Sequence, residues 1–141
     1  MKLSKYFTLD ELTFSQEAAR RGIDNVPSNE IANTLSFTAY QMDKVRELLG
    51  NPVIVSSGYR SPALNAAVGG SPTSSHMKGE AVDFTCPGYG SVREVFDAVR
   101  KSNIDFDQVI VEFGRWVHIG FGPKMRREVM AYDGRSYRSV V

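Results

Sequence analysis

Two histidines occur in this chain of 141 residues. One lies in the stretch SSHMKGEAVDF, Ser74 to Phe84, where His76 precedes Asp83 by seven residues. The other, His118, lies in WVHIGF, Trp116 to Phe121. Neutral imidazole and carboxylate are suitable ligands for a catalytic zinc, which takes three protein donors and keeps one position open for water. His76, Asp83 and His118 would supply two nitrogens and one oxygen. Gly79 permits a tight return that folds the His76 loop onto the following strand. In that strand Asp83 alternates with Val82 and Phe84, so its carboxylate leaves the apolar face. His118 stands in the same relation to Val117 and Ile119. Plainer readings remain at this point. A strand histidine is most often packed or exposed, and an edge strand tolerates an aspartate.

The elements that must position these groups can be read in outline. Thr8 and Glu11 have the spacing of a capping box, and a helix is expected from Thr8 to about Arg21, ended by Gly22. Ser28 caps a longer helix with apolar Ile31, Leu35, Met42, Val45 and Leu49, closed by Gly50. Pro52 to Ser57 reads as a strand. Ser61-Pro62 opens a short helix to about Val68, and Gly69 to Ser75 is an irregular loop. Glu80 to Phe84 is a second strand, and Ser91 to Ser102 a helix with Val92, Val95, Phe96 and Val99 on one face. Phe106 to Glu112 and Trp116 to Phe121 form a hairpin. Asp133-Gly134 marks another in the tail. The expected fold is α+β, an antiparallel sheet with helices packed on one side. One domain is expected, with a helical layer at about 8–50, a core at about 51–122 and a C-terminal hairpin at about 126–141.

Composition narrows the function. The chain is 42% hydrophobic and 23% charged, with a formal net charge of +1. No basic patch suggests nucleic acid, and no apolar run suggests a membrane span. The single cysteine, Cys86, rules out an internal disulfide and reads as a buried small hydrophobe. The N-terminus lacks a secretory leader pattern. Synthesis in the cytoplasm and a monomeric state are expected.

Longer stretches carry a resemblance. SGYRSP from Ser57, LNAAVGG from Leu64, SSHMKGEAVDF from Ser74 and EFGRWVH from Glu112 together closely resemble the zinc D-alanyl-D-alanine carboxypeptidases. That family includes dipeptidases and phage peptidoglycan endopeptidases, and its fold is related to the hedgehog domain. YFTLDEL from Tyr6 and GIDNVP from Gly22 are similar to a branch found in phages. The resemblance implies one zinc ion per chain on His76, Asp83 and His118. It implies that Arg60 contacts the substrate or its developing charge, and that Ser74 orients ligand or substrate. A surface ion pair for Arg60 and a turn role for Ser74 are the alternatives. Trp116 is expected among the substrate-binding residues.

The catalytic base departs from the family pattern. Many relatives carry an acid three residues before the last histidine, where this chain has Arg115. Glu112 is the nearest acid. If Phe113-Gly114-Arg115 form a three-residue loop, Glu112 pairs with Trp116 and shares the face of His118. A two-residue turn would send Glu112 to the far face. The implied activity is zinc-dependent hydrolysis of peptidoglycan stem peptides, by a carboxypeptidase or endopeptidase of the phage endolysin kind, acting on the wall after release or export. A non-catalytic wall-binding or virion protein that keeps the zinc fold is the alternative.

Overall fold

The computed structural model describes residues 1–141. Thr8 forms the capping box, and α1 spans Leu9–Thr13. The expected first helix is two helices. Phe14 is extended (ψ 137°), and Ser15 starts α2, Gln16–Arg21, by accepting from the Ala18 N–H. A serine inside a helical run offers the backbone this competing cap, which apolar spacing does not reveal. Helix α3, Asn29–Leu49, runs between the Ser28 cap and Gly50, which holds a left-handed φ of 63°.

Strand β1, Ile54–Ser57, leads into α4, Pro62–Ala67, capped by Ser61. A 3-10 turn at Ser75–Lys78 carries His76, and Gly79 at φ 73° reverses the chain into β2, Ala81–Thr85. The remaining elements are α5 (Val92–Arg100), β3 (Gln108–Glu112), β4 (Trp116–Gly120), β5 (Glu128–Tyr132) and β6 (Tyr137–Ser139). The fold is α+β, built on one six-stranded sheet in the order β1-β2-β4-β3-β5-β6. Every pairing is antiparallel except β3–β5, which is parallel. Alternation within a strand says which face a residue takes, not which neighbour or direction the strand takes. The parallel pair is therefore new information from the structure.

Val82, Phe84, Val109, Val111, Val117 and Ile119 join one buried cluster with the apolar faces of α3 and α5. Phe84 and Phe96 are fully buried there, each worth roughly 2–3 kcal/mol of apolar transfer. Cys86 belongs to the same cluster. The opposite face of β2 and β4 is also covered, by the 3-10 turn, so Asp83 and His118 are buried rather than solvated. No helix is long and apolar enough to cross a membrane.

Candidate metal centre

Register brings the first two groups together. Asp83 lies directly opposite His118 in the β2–β4 ladder, and cross-strand partners share a face. Asp83 Oδ1 lies 2.8 Å from His118 Nδ1. The 3-10 turn supplies the third group, with His76 Nε2 at 3.1 Å from the same Oδ1. One donor atom from each of the three residues lies within 4.8 Å of the others. In a tetrahedral zinc site with bonds of 2.0–2.1 Å, neighbouring donors stand about 3.3 Å apart. The cluster is close to that spacing and needs little adjustment to hold a metal.

The chemistry of His76 fits a cation equally well. Its Nδ1 lies 2.7 Å from the Gly58 carbonyl oxygen, which can only accept, so Nδ1 carries the proton. Nε2 then faces the carboxylate oxygen, and a positive charge between them, a second ring proton or a metal ion, is what satisfies both. A carbonyl on the far nitrogen is also the partner that orients a metal-binding imidazole. Burial opposes the Asp83 charge, but the two imidazoles more than reverse it and hold the carboxyl well below its usual range. Burial also disfavours the charged form of His118, yet the Asp83 carboxylate raises its pKa above the ordinary histidine value.

The other residues singled out in the sequence line the same cleft, of about 2170 Å³. Glu112 pairs with Trp116 across the hairpin, as the three-residue loop requires. The turn differs in detail, since Phe113 and Gly114 both have positive φ, 57° and 64°. The Trp116 indole N–H donates to Glu112 Oε1 at 2.9 Å. The Glu112 charge is felt by both His118 and Arg60. Arg60 Nη2 donates to Ser74 Oγ at 3.3 Å, while Ser74 Oγ also accepts the His76 N–H. Arg60 Nε is buried without a partner, an arrangement that leaves a cationic donor free for an anion. Burial lowers the Arg60 pKa, and the charges of Asp83 and Glu112 oppose that shift.

Sequence reading missed what fixes Arg60 and His76 in place. Tyr59 N–H donates to the Leu12 carbonyl, and Arg60 N–H to the His76 carbonyl. Asn25 clasps both sides of Arg60. Its amide donates to the carbonyls of Thr13 and Tyr59, and its Oδ1 accepts the Ser61 N–H. A Cβ on Gly58 would fall 2.3 Å from the Leu12 oxygen, so only glycine allows this approach. Upstream, β1 shifts register between Val55 and Ser57, and such a bulge re-aims the chain toward a site. The motifs holding Gly58 and Asn25 were visible, but nothing in them names partners so distant in the chain.

Comparison with the curated proteins returns no match. The family model described as Peptidase M15 matches residues 5–120, which include His76, Asp83 and His118 together with Arg60, Ser74, Glu112 and Trp116. With that match covering most of its length, the chain belongs to the M15 peptidases and is a zinc metallopeptidase.

Proposed function

We propose that this peptidase hydrolyses a peptide bond in the stem peptides of peptidoglycan, as a wall-degrading enzyme of the phage endolysin kind that acts after release or export. The observation that carries the reading is the meeting of His76, Asp83 and His118 in one cleft with Glu112 and Arg60. The motifs around these residues, which resemble wall peptidases, supply the substrate class.

His76 through Nε2, Asp83 through Oδ1 and His118 through Nδ1 are the groups that would hold the ion. Zinc in such a site supplies Lewis-acid polarisation and lowers the pKa of water toward about 7. Glu112 accepts a proton as the water oxygen bonds to the amide carbon. It returns that proton to the nitrogen as the C–N bond breaks, so the products are an acid and an amine. Trp116 fixes Oε1 of Glu112, and no protein group bonds the other oxygen, which is left to handle the proton. Arg60, tethered to Ser74, sets a cation where negative charge grows on the carbonyl oxygen.

The test is to incubate zinc-loaded protein with muropeptides, with and without a chelator, and to read the products by mass spectrometry. New amine termini that vanish with chelator and return with added zinc are expected. An absence of cleavage rejects the substrate, and cleavage that resists the chelator rejects the metal.

A further inference from the structure

The cleft does not stop at Glu112. Across the sheet, β3 is followed by β5 and β6, and both lie beyond the residues that the family model matches. Glu112 pairs with Tyr132, and Tyr132 with Tyr137. The three side chains therefore form a row on one face. With Trp116 on the other side of Glu112, the row lines the cleft that contains His76, Asp83 and His118. The rings of Tyr132 and Tyr137 stack, with centroids 4.3 Å apart and planes at 22°. Phe113 packs between Trp116 and Tyr132, its centroid at 5.2 and 5.5 Å from theirs.

Several features hold this row in place. Phe113 keeps a left-handed backbone, which is costly for a bulky residue. Its ring lies so close to Gly134 that a Cβ there would fall 2.9 Å from Cε1. Asp133 Oδ1 accepts the N–H groups of Arg135 and Ser136 and fixes the turn that returns the chain to Tyr137. Even so, Phe113 is 46% and Tyr137 54% exposed. Exposed aromatic groups beside a reacting centre are a contact surface without its partner.

Charge decides what the partner is. Arg115 and Arg138 do not line the cleft; they open with Val111 and Ala131 on a neighbouring hollow that borders it at Phe113 and Tyr132, whereas Tyr137 faces the cleft alone. The cations that do line it are Arg60, Lys78, Lys124 and Arg126, from other segments. Arg126 is paired with Asp107, near the opposite end of β3 from Glu112. A terminal carboxylate lying beyond Glu112 would meet rings, hydroxyls and the Glu112 anion. Two strand spacings separate Glu112 from Tyr137, about 10 Å, enough for about three extended residues.

The geometry points to Phe113, Tyr132 and Tyr137 as a subsite for uncharged peptide chain that continues past the scissile amide on the leaving-amine side. The enzyme then cuts internal bonds rather than releasing one terminal residue. This rests on the proposed peptidase reading, in which Glu112 delivers the proton to the leaving amine.

Two sugar-free stem peptides with the same scissile bond test it. One ends in a free carboxylate a single residue past the bond, and the other continues with uncharged residues. Steady-state kinetics are measured on zinc-loaded wild type and on Tyr137→Ala, Tyr137→Phe and, as a control outside the cleft, Tyr89→Ala. Wild type is expected to favour the long peptide by about tenfold in kcat/KM, the size of one or two aromatic contacts. Tyr137→Ala raises KM for the long peptide and narrows that preference. Tyr137→Phe, which keeps the stacking face, and Tyr89→Ala preserve it. Preference for the terminal carboxylate, or an equal effect of Tyr137→Ala on both peptides, overturns the subsite while the peptidase reading stands. Cleavage of neither peptide by wild type overturns both.

Discussion

Asp83 Oδ1 faces two imidazoles at 2.8 and 3.1 Å, so a change to any one of the three leaves buried polar groups without partners. Holding a metal and turning over substrate nevertheless separate at single residues. His118→Ala is expected to bring zinc content close to zero and to abolish hydrolysis. Glu112→Gln keeps its hydrogen bond from Trp116, retains about one zinc per chain and loses about 10²- to 10⁴-fold in kcat, the usual worth of a proton-transferring group. Metal analysis beside kinetics distinguishes the two outcomes. At this scale the sequence was informative because the groups are scarce. Two histidines and one strand aspartate leave few ways to build the site. The face taken by Glu112 depended on the turn, and the three-residue loop rather than the two-residue alternative is the one that forms. The unpartnered Nε of Arg60 was not legible, because burial is set by the packing of segments remote in the chain.

Element boundaries followed the capping residues closely wherever a single cap was present. Ser28, Ser61 and Ser91 each begin a helix by accepting a backbone N–H three residues on. The run from Thr8 to Arg21 held a second cap, Ser15, and broke there. The segment Gly58–Ser61 depends on contacts that no local pattern encodes. Gly58→Ala forces the backbone away from Leu12 and disturbs the carbonyl that orients His76. Zinc affinity is expected to fall about 10- to 100-fold, as when other outer partners of metal ligands are lost. Competition titration with a chelating dye measures it. A second test concerns how β5 is joined to the sheet. The Arg126 guanidinium donates two hydrogen bonds to Asp107 and its backbone N–H a third, and the guanidinium contributes most to holding that carboxyl below the usual range. A carboxyl depressed on folding stabilises the protein above its unfolded pKa of about 3.9 and loses that contribution as pH falls through the folded value. Arg126 is half exposed, so solvent screening keeps the pair's contribution small. Arg126→Ala should therefore lower stability slightly near neutral pH and converge with wild type at strongly acid pH, in denaturant titrations at each pH.

For the molecule as a whole, stability and metal holding are assigned to opposite faces of one sheet. The core lies between the sheet and α3 and α5, and the metal centre on the reverse side. Phe96→Ala empties a fully buried site and is expected to cost about 3–5 kcal/mol. This appears as a lower denaturation midpoint with an unchanged slope. The surviving folded fraction should still bind zinc, because no ligand touches that side. The α+β class was legible from the alternation of helical and strand patterns. The strand order was not, because β5 lies beside β3 rather than beside β4, which precedes it in sequence.

The register that sets Asp83 opposite His118 also makes zinc a gauge of assembly. His76 and Asp83 are near neighbours in the chain and can meet early, whereas His118 arrives only once the later strand has docked in its correct alignment. A slip of one position would turn its imidazole to the other side and leave two donors where three are needed. Tight zinc uptake during refolding should therefore coincide with completion of the central strands, and a misaligned chain would be left unable to retain the ion.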